Sequence, residues 1–233
     1  MRRRHLFPTV SCYMCSGAAT SREHVPPRCL FPELRDLPVG FDFRKNLISV
    51  PSCDLHNSEK AKDDEYLMFL LSTALQGNRF KQQHFETKVM RALRRKPAAY
   101  GAFMPNLTPV AIQEGNDPMV ETCAFEVDVD RFSRCTRHIA CGVLYHHTSL
   151  KPLNEVRVVT DAFAALKGPN AEETNRLFHD MTLRIGEAFS LVPIQGENRP
   201  IFQYRLHTTA EGVHAVLMIF YEGIRVAAII NDA

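Results

Sequence analysis

Residues able to bind metals or move protons cluster near the start of this chain. Cys12 and Cys15 form a C-x-x-C pair, the spacing with which a tight turn lets two thiolates grip one zinc ion. Cys53 and His56 form a C-x-x-H pair, the right length for two further ligands on the first turn of a helix. Together they complete a closed, structural Zn²⁺ site. Glu23-His24 and Asn46 lie between the two pairs, and Asn57 and Lys60 follow the second. His56 and Asn57 are adjacent, so on a helix they point about 100° apart and cannot easily share one role. Spacing alone allows one to hold a metal while the other serves chemistry, and it equally allows both to be surface residues.

In order, the pieces read C-x-x-C, E-H-x-P-P, N-L and C-x-x-H-N-x-x-K. This order resembles the HNH endonuclease family, whose usual pattern is C-x-x-C, D-H-x-x-P, N-L and C-x-x-C-[HN]-x-x-K. The match covers roughly residues 10 to 70. The resemblance implies a zinc-stapled ββα-metal core that hydrolyses phosphodiester bonds in DNA, with RNA as an open alternative. It puts His24 at the general base that activates water, a role suited to a group that titrates near neutral pH. It puts Glu23 at the position of a metal-binding Asp, and Asn57 at the last position, which helps bind a catalytic cation. Asn46 takes the central position, which holds the loop and orients the base. Lys60 and Arg28 are candidates for substrate-phosphate contacts.

The register of Asn57 with Lys60 assigns His56 to zinc and Asn57 to the catalytic cation. Three departures stand out: Glu for Asp, His for the fourth zinc Cys, and Asn at the last position. A neutral oxygen donor there suits Mg²⁺ or Mn²⁺. Cleavage needs an activated water and a cation to neutralise developing charge, and a helix start favours phosphate. The competing function is a non-catalytic, zinc-stapled nucleic-acid-binding protein.

Cys135, His138 and Cys141 form a second metal-like run. On a helix they share a face with Phe132, Ile139, Gly142 and Val143, so they are read as core. His146 falls on the same apolar face and is read as a core histidine.

The elements that must position these residues follow from pattern. Residues 6–15 read as a strand entering the knuckle, 29–45 as a loop, and 46–53 as a strand stopped by Pro51. Ser52 is a candidate N-cap for one helix running from about Cys53 to Leu75, and a second helix spans about Phe80 to Lys96. Residues 97–119 are rich in Pro and Gly and read as a connector or irregular loop. FEVDV (125–129) then reads as a strand, about 130–147 as a helix, 156–161 as a strand and 171–188 as a helix. FQYRLH, HAVLMIFY and IRVAAII form a C-terminal antiparallel meander. The fold class is α+β: an HNH-like unit over 1–96, and a second α+β unit over 120–233 serving as sensor or dimerisation part. An edge of its sheet could pair two chains as a homodimer.

The chain has 233 residues, 45% of them hydrophobic, enough for a substantial core. Net charge is only +2, so any nucleic-acid surface must come from local basic runs such as RALRRK. No apolar run reaches the ~20 residues that span a bilayer. The basic start lacks the apolar region of a signal peptide. A reducing, cytoplasmic setting follows as the expectation, in which cysteines are ligands or core rather than disulfides.

Overall fold

The structure is a computed structural model and describes residues 10–57, 60–113, 118–151 and 155–231. Strands β1 (Ser21–Val25) and β2 (Ile48–Ser52) pair antiparallel, with Glu23 opposite Val50 and His24 opposite Ser49. Side chains alternate across a strand: Glu23 and Val25 are buried, while Arg22 is exposed and His24 partly so. β2 runs through Pro51 and is not stopped by it. In a two-stranded sheet one edge needs no donors, so the missing N–H costs no ladder bond. Its carbonyl accepts from Tyr13 N–H at 2.9 Å and thereby ties the knuckle to the hairpin.

The expected long helix from Cys53 is two helices, α1 (Asp54–Asn57) and α2 (Ala61–Thr73). Ser52 is not their cap. It ends β2, and its hydroxyl bonds inward to Glu23 and to the Cys53 carbonyl. α2 buries every residue from Tyr66 to Ser72, the all-round burial of a core helix. The next helical stretch is α3 (Arg79–His84), a π turn (Phe85–Val89) and α4 (Met90–Arg95). Asn78 caps it by accepting from Phe80 and Lys81 N–H.

The stretch expected to be irregular contains α5 (Pro97–Gly101), with Pro at its first turn, where a missing N–H is harmless. It also contains β3 (Thr108–Ile112), which pairs with β4 (Val120–Ala124). The strand expected at 125–129 is displaced to β4. Asp128 instead caps α6 (Val129–Thr148), accepting from Arg131 N–H at 2.9 Å. Phe125 and Val127 pack on the core from this approach segment. Between residues 10 and 15 there is no strand, only an isolated bridge from Ser11 to Ala18; residues 6–9 lie outside the described residues.

The remaining elements are β5 (Val156–Thr160), α7 (Ala171–Ala188), β6 (Phe202–Thr208), β7 (Val213–Phe220) and β8 (Ile224–Asn231). The C-terminal meander is present, and β5 joins it antiparallel beside β8 to give the order β5-β8-β7-β6. α6 packs against β1, β2 and α2 and also against β5, β7 and β8. Its buried face carries Phe132, Cys135, Ile139, Cys141, Gly142 and Val143 as expected, while His138, read as core with them, is only partly buried. His146 does not join them: it is exposed near the helix end. One continuous buried cluster runs from Cys12 to Ile230 and therefore includes both halves of the chain. The loop after β1 is fastened from several sides. Tyr221 Oη donates to the Leu30 carbonyl at 2.7 Å, and Lys88 Nζ donates to the Cys29 carbonyl at 2.9 Å.

Candidate functional site

The knuckle residues converge with β2 and α1. The ligand atoms of Cys12, Cys15, Cys53 and His56 all lie within 4.8 Å of one another. Cys15 Sγ is 3.8 Å from Cys53 Sγ, and His56 Nδ1 is 3.2 Å from Cys53 Sγ and 3.5 Å from Cys12 Sγ. Zinc bonded tetrahedrally to thiolate and imidazole requires S···S of ~3.8 Å and S···N of ~3.5 Å, from bond lengths of ~2.3 and ~2.0 Å. The four residues could therefore hold a zinc ion. Local backbone builds the turn: Cys12 N–H donates to Gly17 at 2.8 Å, and Met14 N–H points at Cys12 Sγ at 3.4 Å. Cys135 and Cys141 are buried in the core and are not part of this cluster.

Beside the knuckle lies a cleft of about 290 Å³ lined by Arg22, Glu23, His24, Arg28, Asn57 and Asp64, among others. Four expected site residues, Glu23, His24, Asn57 and Arg28, are thus brought together. His24 reaches the cleft from β1, and its Nδ1 is buried with no partner among the described residues. Asn57 ends α1, and its amide donates to Ser21 Oγ at 2.7 Å. Thr20 Oγ1 donates to Asp54 at 2.7 Å and so holds α1 against the start of β1. Arg22 and Arg28 are exposed at the rim.

Two residues sit elsewhere than expected. Asn46 lies outside this cleft, in the turn leading to β2 and beside a smaller hollow with Phe31 and Tyr204. Its φ of 53° is left-handed, a conformation Asn tolerates better than most residues. Lys60 is no surface cation. It is only 7% exposed, and its ammonium lies 2.7 Å from Glu23 Oε1 and 2.7 Å from Asp64 Oδ1.

The result is a triad of two carboxylates around one ammonium, with Glu23 and Lys60 buried and Asp64 partly open to the cleft. Burial pushes the carboxyls of Glu23 and Asp64 up, and Lys60 pulls both part of the way back. Burial would lower Lys60, but Asp64 and Glu23 outweigh it and raise its affinity for the proton. Lys60 therefore stays charged. Glu23 Oε2 also receives Ser52 Oγ at 3.4 Å, so both of its oxygens are engaged. Glu23 and Asn57 both line the cleft, but with both carboxylate oxygens engaged Glu23 does not fit the part of a cation ligand. Asp64 was missed in the sequence, although its i,i+4 spacing from Lys60 is the ordinary signature of a helical ion pair.

No protein-family model matches this chain, and neither a curated protein nor a solved structure matches it. The HNH resemblance rests on the motif residues alone. No helix among the described residues is long and apolar enough to cross a membrane.

Proposed function

We propose that this chain is a zinc-stapled nuclease of the HNH type that hydrolyses phosphodiester bonds in DNA. The observation that carries this reading is the cleft itself: the His24 imidazole on its wall, arginines on its rim, and the Cys₃His cluster beside it. Zn²⁺ in that cluster would fix α1 to the knuckle and hold Asn57 next to β1. His24 takes a proton from the attacking water. A new P–O bond forms, the bond to the leaving sugar oxygen breaks, and that oxygen is protonated from solvent. Arg22 and Arg28 hold the phosphate through charge-assisted hydrogen bonds. A divalent cation, Mg²⁺ or Mn²⁺, would neutralise charge on the scissile phosphate. Among the oxygen donors that line the cleft, Asn57 and Asp64 Oδ2 would hold it, since Lys60 takes Asp64 Oδ1.

Purified protein with Mg²⁺ or Mn²⁺ is expected to cleave plasmid DNA. His24→Ala is expected to abolish cleavage while leaving one zinc per chain. Cleavage that survives in His24→Ala removes the assigned base. A second reading, a zinc-stapled nucleic-acid-binding protein without catalysis, draws on the engagement of Glu23 by Lys60. Salt-sensitive DNA binding with no cleavage under any divalent ion decides for it.

A further inference from the structure

The knuckle is not self-contained, because α6 and the residues after it reach its ligands from the far half of the chain. His138, the middle residue of the C-x-x-H-x-x-C run on α6, sets its ring against that of His56. The centroids are 5.8 Å apart and the planes meet at 67°. His56 turns Nδ1 toward the sulfurs, so the orientation of its ring decides whether that nitrogen can complete a tetrahedron. Further along, Lys151 Nζ donates to Ser11 Oγ at 2.6 Å and to the Cys15 carbonyl at 2.8 Å. These two contacts fall on either side of the Cys12–Cys15 turn and clamp it. Tyr145, between them in sequence, meets Tyr13 of the knuckle edge to face at 6.5 Å.

Two general facts give these contacts a consequence. A centre of three thiolates, one neutral imidazole and Zn²⁺ carries a net charge of −1, so a nearby ammonium favours the loaded state. Groups that orient metal ligands are also worth about 10–100-fold in metal affinity. We propose that His138 and Lys151 are positioning residues of the Cys₃His centre: His138 fixes the ring of the ligand His56, and Lys151 clamps the thiolate turn and supplies its counter-charge. This rests on the reading that Cys12, Cys15, Cys53 and His56 bind zinc, and it does not depend on nuclease activity. It gives the C-x-x-H-x-x-C run a role: its cysteines are core, and its histidine packs against a ligand of the other site.

The test is metal binding to the full-length chain, measured as Zn²⁺ affinity by chelator competition and as the visible absorption of the Co²⁺-substituted protein. His138→Ala is expected to weaken Zn²⁺ about tenfold or more and to shift the Co²⁺ bands, because the His56 ring is freed. His138→Phe keeps an edge-to-face ring and is expected to restore both readouts. Lys151→Met lies in a loop after the helix and leaves the core intact. It is expected to weaken Zn²⁺ by a similar factor, with an effect that shrinks at high salt. Far-ultraviolet dichroism of each metal-loaded variant separates loss of the centre from loss of the fold. Wild-type affinity and Co²⁺ bands in both His138→Ala and Lys151→Met overturn the proposal. Absence of stoichiometric metal in the wild-type chain overturns the zinc reading itself, and the proposal with it.

Discussion

Lys60 shows how far a residue's chemistry depends on what it meets. Its spacing from Asn57 suggests a cation offered to substrate, but the structure buries it between Glu23 and Asp64. Removing one member of such a group strands the others without a partner, at a cost of about 3–5 kcal/mol. Lys60→Met is therefore expected to lower unfolding free energy by that amount in urea titrations. Adding Glu23→Gln should recover most of it, since Asp64 alone still opens to the cleft. In DNA binding the double variant should keep the wild-type salt slope, because a lost phosphate contact reduces that slope by about 1. A reduced slope would return Lys60 to the substrate. The Cys₃His cluster was legible from spacing because a turn and a helix start convert sequence distance directly into space. The triad was not, because only the pairing of β1 with β2 places Glu23 beneath α2.

Among the elements, the clearest pattern was periodicity: α6 and α7 fall within one residue of where the apolar spacing put them. Short elements were obscured wherever a single residue outweighed the pattern. Pro109 sits inside β3, and Asp128 turned an alternating FEVD stretch into a capped helix start. The meeting of α6 with β1 depends on Gly142. A Cβ there would stand 2.5 Å from Val25 Cγ2 and 2.9 Å from Val25 Cγ1, and a β-branched side chain on a strand has little room to turn away. Gly142→Ala is expected to destabilise by about 1–3 kcal/mol through overpacking, although alanine is the better helix former. Val25→Ala in that background should relieve part of the loss. Additive effects in the double variant would show that the two do not meet.

Across the whole molecule, stability should depend on pH through His84. This side chain is fully buried, its Nε2–H donates to the Cys29 carbonyl at 3.1 Å, and its Nδ1 has no partner among the described residues. Burial, helped by Lys88, brings its pKa down to about 3, against ~6.5 in the unfolded chain. Between those values the unfolded state binds the extra proton. The His84 contribution is therefore intact above about pH 6.5 and is lost as pH falls toward 3, by up to ~1.4 kcal/mol per pH unit. Urea midpoints of wild type and His84→Gln from pH 7.5 to 4.5 check this: the variant should lose one proton's worth of slope. An unchanged slope would mean that His84 already titrates in the folded chain.

The Tyr221 hydroxyl on the Leu30 carbonyl joins positions 191 residues apart, and Leu30 belongs to the loop that carries Arg28 and Cys29 along the cleft. Contacts so distant in sequence close late, because the intervening chain must be ordered first. During synthesis, the knuckle and hairpin leave the ribosome well before the tyrosine that braces the cleft's rim. A growing chain thus carries the walls of the candidate site for a time without the brace that fastens them.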